Sequence, residues 1–340
     1  MSNGSQTQGQ SNNMQGTEYY SLKNLEEFSQ DLRRRHRVDN HLVRSVLRAG
    51  SILSELEEKT PRPNDLSKQD LFEKEFRTTT SFNMSILDLH THLRADHEIM
   101  AGLLERRLRP NVKHTLHGGI RPEGKVWVIH MFCYNISVER LTPLTLSFIL
   151  LESILAQLST KPSTRNQDWG FFEVTHERAR KENSRMPDYQ KTMEVLQALI
   201  YRILKRCPEN TIHFVFTGIK RMKLDHWQLQ ELACFVIDMA RLVKTALPIQ
   251  GDRMMKCIFC GDGLLDFSYL FDYLEQHKQR LEAGSEEVQE EIKDIFEKML
   301  MLDWNWSQSC WIEQDLVSHF IDPNKAKKRR DHRSQKLSPR

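Results

Sequence analysis

The chain is expected to be an α/β protein, a parallel sheet covered by helices with helical regions before and after it, on three observations. Short β-favouring runs at residues 126–133, 211–216 and 254–260 alternate with long amphipathic patterns, the order that joins parallel strands through helices. Leu-rich periodic segments dominate, whereas 14 glycines and 11 prolines are few for a sandwich or a loop-rich barrel. With 39% hydrophobic and 28% charged residues among 340, there is apolar material for a core and charge for a solvated surface.

The first 17 residues are rich in Ser, Asn, Gln and Gly without apolar periodicity, and such a segment is expected to be disordered. Residues 18–117 read as a helical region. Leu22, Leu25, Phe28 and Leu32, then Leu42, Val46 and Leu53, recur at helical spacing. After the break at Thr60-Pro-Arg-Pro63, Ile86, Leu89, Leu93, Met100 and Leu103 form a second stripe. The α/β core spans 118–262. Within it, 126–133 is a strand, 144–158 an apolar helix, 159–188 a polar loop or insertion, and 190–205 a helix. Strand 211–216, helix 224–247 and strand 254–260 follow. Residues 263–322 read as helical again, and 323–340 as a basic disordered tail.

The formal net charge of +3 is unevenly placed. Eight Lys/Arg against one Asp give residues 323–340 a charge of +7, so the body is mildly acidic at −4. Nucleic-acid contact is therefore confined to the tail, whose run Lys325-Ala-Lys-Lys-Arg-Arg330 suits an import signal or an anionic partner as well as a solvated end. The N-terminus has no basic segment leading into an apolar core, so no secretory signal is expected. The window 141–158, interrupted by Thr, Pro, Ser, Glu and Gln, is too polar and short for a membrane span. Six cysteines lie mostly inside apolar patterns and read as reduced core residues. The expected location is cytoplasmic, nuclear or both.

Residues 126–262 resemble part of the fungal NACHT-like (STAND) nucleotide-binding module. The likeness is carried by strand 126–134, by Phe148-Ile-Leu-Leu-Glu-Ser-Ile-Leu-Ala-Gln-Leu158, by Phe214-Val-Phe-Thr-Gly-Ile-Lys-Arg221 and by Lys256-Cys-Ile-Phe-Cys-Gly-Asp262. It implies a P-loop-NTPase-like core and, by family habit, signalling or regulation through protein partners. It also implies where the chemistry should sit, and there the chain departs. The Mg²⁺-organising carboxylate falls on Thr217, followed by Gly218. The acidic pair falls on Lys220 and Arg221, and the terminal Arg on Asp262. A threonine supplies no negative charge for a phosphate-bound Mg²⁺.

A phosphate-loop spacing, Gly-x4-Gly-Lys, occurs at Gly119, Gly124 and Lys125, but Val126 replaces the hydroxyl residue and a strand follows instead of a helix. In the family that loop would fall earlier, in the block containing residues 93–108. The expectation is a non-catalytic intracellular interaction or regulatory protein with no cofactor. Protein partners are expected, with no small-molecule substrate and no membrane.

Two other classes stay open. Asp88-Leu-His-Thr-His92 has the Asp-x-His-x-His form of metal-dependent hydrolases. On a strand His90 and His92 would share a face. The surrounding stripe reads as helix, which points the imidazoles apart and leaves no metal site. A nuclear accessory protein would act through the basic tail. Cys257 and Cys260 have redox or zinc spacing but sit within an apolar strand, where a redox pair should open a helix.

Overall fold

The computed structural model describes residues 16–44, 46, 84–90, 93–108, 126–160, 164, 168–176, 187–208, 210–220, 224–250, 255–262, 290, 294, 299–305, 307 and 310–313. The chain opens with strand β1 (Gly16–Tyr20) and helix α1 (Leu22–His36). Ser21 separates them because its Oγ accepts the Asn24 N–H at 3.2 Å, an N-cap. Four basic residues, Arg33 to His36, close the helix against its dipole. Gly16 and Thr17, expected in a disordered tail, belong to β1. The helical reading of Tyr19 and Tyr20 gives way to a strand rich in β-favouring Thr and Tyr.

β2 (Met84–Asp88) corrects the second helical stripe. All five residues are buried, and the helix, α2 (Arg94–Leu108), begins only after a turn. A five-residue apolar run bounded by no turn signal cannot be told from a helix start by periodicity. Here the pairing available on both sides decides for the strand.

β3 (Val126–Phe132) and α3 (Pro143–Thr160) follow, with Pro143 at the first helical position and Thr142 Oγ1 accepting the Thr145 N–H at 3.2 Å. β4 (Phe172–His176) lies inside the segment expected to be a polar loop and pairs antiparallel with β1. α4 (Pro187–Arg206), β5 (Thr211–Lys220) and α5 (His226–Gln250) match the expected helix–strand–helix. Asp225 and Gln228 bond each other's backbone N–H across the start of α5, a reciprocal cap. β6 (Lys256–Asp262) is the last element of the expected core. β7 (Met299–Asn305) and β8 (Cys310–Glu313) replace part of the expected C-terminal helical region.

The main sheet runs in the order β3-β5-β6-β2-β7-β8. Its first five strands are parallel and β8 closes one edge antiparallel. Alternate side chains go to two apolar layers, as the two-residue period of a strand requires. Ile86, Phe214, Phe216, Cys257, Phe259 and Met301 join the core shared with α1, α3, α4 and α5. Leu87, Val215, Ile258, Cys260 and Leu302 join the core shared with α2. Cys257 and Cys260 thus point to opposite faces, and neither can partner the other in a redox or zinc pair.

By length and a mean hydropathy of 1.3, α3 reaches the range of a membrane-crossing helix, contrary to the expectation of too polar a window. It is 67% buried inside the fold and packs as a core helix among the described residues.

Candidate functional site

The carboxyl ends of β2, β6 and β7 bring one polar group together. Asp88 ends β2 in register with Gly261 of β6 on one side and Asp303 of β7 on the other. Asp262 is the next residue of β6. Leu89 continues the ladder, donating its N–H to Gly261 O at 2.9 Å. The chain then turns at His90, which has a left-handed φ of 48°, and its N–H donates to Asp88 Oδ1 at 3.3 Å. That turn folds the imidazole back over the strand ends. His90 Nε2–H donates to Asp303 Oδ1, and its Nδ1 stands 3.7 Å from Asp88 Oδ1.

Asp88 is fully buried and Asp262 is 5% exposed; His90 is 30% exposed. One donor atom each from Asp88, His90 and Asp262 lie within 4.8 Å of one another. Asp88's charge also helps hold the neighbouring Cys260 thiol protonated, after burial as the larger cause.

The place has topological meaning. The chain leaves β2 toward the β3 edge and leaves β7 toward β8 at the opposite edge. Connections therefore diverge between β2 and β7, and in open parallel sheets such a divergence at the carboxyl ends is where ligands bind.

The remaining candidates are distributed differently. Thr217 is buried near the end of β5, two strands from β2, and its hydroxyl lies 3.1 Å from His130 Nε2 in a buried hydrogen bond. The His130 ring stacks on Phe132 with centroids 4.2 Å apart. Gly218 has a φ of 75° at a register shift between Thr217 and Ile219. A Cβ there would lie 2.4 Å from Tyr134 Cδ1. Its glycine identity thus has a steric cause, needing no nucleotide. His92, Gly119, Gly124, Lys125 and the basic tail lie outside the described residues.

The expectation that the Asp88-to-His92 string lies on a helix is overturned for its described residues: Asp88 ends a strand and His90 turns back beside it. Sequence reasoning missed Asp303 because Met299-Leu-Met-Leu-Asp303 read as helix. Asp262 was visible only as the substitute for an expected Arg at a strand end. The chain matches no protein-family profile, and no curated protein or solved structure is significantly similar to it.

Proposed function

We propose that this chain is a non-hydrolysing relative of P-loop nucleotide-binding proteins that acts through contacts with other proteins, the regulatory role that the resemblance to fungal NACHT-like modules implies. The observation that carries this reading is the group at the carboxyl end of β2. β2, its turn and α2 form the strand–loop–helix unit in which such proteins bind phosphate. A phosphate there needs backbone N–H groups in a glycine-rich loop and a lysine. This unit instead reads Asp88-Leu-His-Thr-His-Leu-Arg94, without glycine or lysine. Asp88, Asp262 and Asp303 set negative charge where phosphate oxygens would lie, and like charges at such range repel strongly out of water. Thr217 adds to the reading, since its hydroxyl is engaged by His130.

Phosphate release from ATP and GTP by the purified full chain, with Mg²⁺ present, tests this. The expected result is no turnover above that of Lys125→Ala. Turnover by the natural chain that disappears in that variant would overturn the proposal.

A further inference from the structure

We infer that Asp88, His90 and Asp262 form a binding site for one divalent transition cation of the manganese–zinc class. The inference is independent of whether the chain hydrolyses any substrate, because it rests on how three strand ends converge.

Two ligands each roughly 2.1 Å from a common ion lie about 3–4 Å apart. His90 Nδ1 and Asp88 Oδ1 are separated by 3.7 Å. That is too long for a hydrogen bond between them and suits two ligands of one ion. Asp262 completes a group in which one donor atom from each of the three residues lies within 4.8 Å of the others. These are backbone-fixed positions: Asp88 and Asp262 end adjacent paired strands, and His90 is placed by the turn that follows Asp88.

Asp303 supplies an observation of a different kind. A carboxylate only accepts, so the His90–Asp303 bond puts a proton on Nε2. In neutral imidazole the lone pair then sits on Nδ1, the nitrogen that faces Asp88. A carboxylate gripping the outer ring N–H while the inner nitrogen faces other donors is the arrangement that orients metal-binding histidines. Asp303 is a positioning residue in this scheme, not a ligand. It also explains why the histidine adopts a left-handed backbone, since that turn lets the ring reach both β2 and β7.

The donor set selects the cation. One imidazole beside two carboxylates favours manganese, iron or zinc over magnesium and calcium, which prefer oxygen alone. With three protein donors, and His90 still partly exposed, the remaining positions are left to water.

The experiment uses the full chain stripped with chelator and dialysed, then titrated with Mn²⁺, followed by calorimetry and by the paramagnetic resonance of the bound ion. One equivalent of Mn²⁺ is expected to bind and to raise the thermal midpoint, with Mg²⁺ binding at least tenfold more weakly. Asp262→Asn and His90→Ala should each abolish stoichiometric binding, and Asp303→Asn should keep the stoichiometry while raising Kd by about 10- to 100-fold. Circular dichroism before titration identifies any variant that fails to fold. If one does, loss of ¹⁴N hyperfine coupling to Mn²⁺ in His90→Gln serves in its place. No Mn²⁺ or Zn²⁺ binding by the natural chain overturns the inference, as does binding that all three variants leave unchanged.

Discussion

At the scale of single residues, polar side chains inside the sheet set the acid limit of the fold. His213 of β5 is buried, and its Nδ1 accepts the Lys256 backbone N–H at 3.2 Å. Burial first, and the charge of Lys256 second, depress its pKa to about 3. The folded state therefore holds the imidazole neutral while the unfolded chain takes up a proton near pH 6.5. Stability is fully present above that value and falls as pH drops toward 3. Linkage gives a loss of about 2 kcal/mol between pH 7 and pH 5. Urea unfolding at the two pH values should reveal it, and His213→Asn, which keeps an acceptor but cannot ionise, should flatten the difference. An equal loss in that variant would place the acid sensitivity elsewhere. None of this was legible in sequence, where His213 was one polar letter in an apolar run; only the parallel pairing of β5 with β6 sets it against Lys256.

At the scale of elements, the bulge in β5 couples the sheet to α2. Gly218 adopts φ 75° beneath the Tyr134 ring. Tyr134 in turn carries the Arg94 guanidinium 4.5 Å above its face and donates its hydroxyl to Glu98 at 3.2 Å. Gly218→Ala adds backbone strain and a steric clash, and the expected cost is about 2–4 kcal/mol. Removing the ring with Tyr134→Ala should relieve the clash but not the strain, so the double variant should be less destabilised than the sum of the singles. Additive losses in denaturant unfolding would contradict the close approach.

Legibility at this scale divides cleanly. α3, α4, α5 and the strands β3, β5 and β6 were readable, because long periodic helices and β-branched or aromatic runs carry strong local signals. β1, β2 and β4 were not, because each is a five-residue strand whose identity depends on a partner far away in the chain, and β7 was not, because its Met-Leu-Met-Leu run is made of helix-favouring residues. The candidate site shared that fate: Asp88 and His90 were singled out as a pattern, but their convergence required the strand that periodicity misassigned.

At the scale of the whole molecule, the two apolar layers make the cysteines reporters of global opening. Cys133, Cys207, Cys257 and Cys260 are buried, whereas Cys234 is half-buried. Burial pushes the Cys133 thiol up to about 12 and raises Cys257 and Cys260 as well, so little reactive thiolate exists at neutral pH. Peptide mapping after brief alkylation should find Cys234 modified first. Cys257 and Cys260, on opposite faces of β6, should follow together at the rate of unfolding. Separate rates for the two would mean that α2 opens on its own, independently of the layer formed by α3, α4 and α5.

The position of β2 has a consequence for how the protein is made. Among the described strands it is the second synthesised, yet it sits between β6 and β7, which emerge only after residue 255. During synthesis its Met-Ser-Ile-Leu run must wait without either neighbour while most of the chain is translated. Pairing so distant in sequence is slow to form, and an unpaired apolar strand invites association with other chains. Nascent chains stalled before β6 should therefore engage cellular chaperones, and release them only once β7 has left the ribosome.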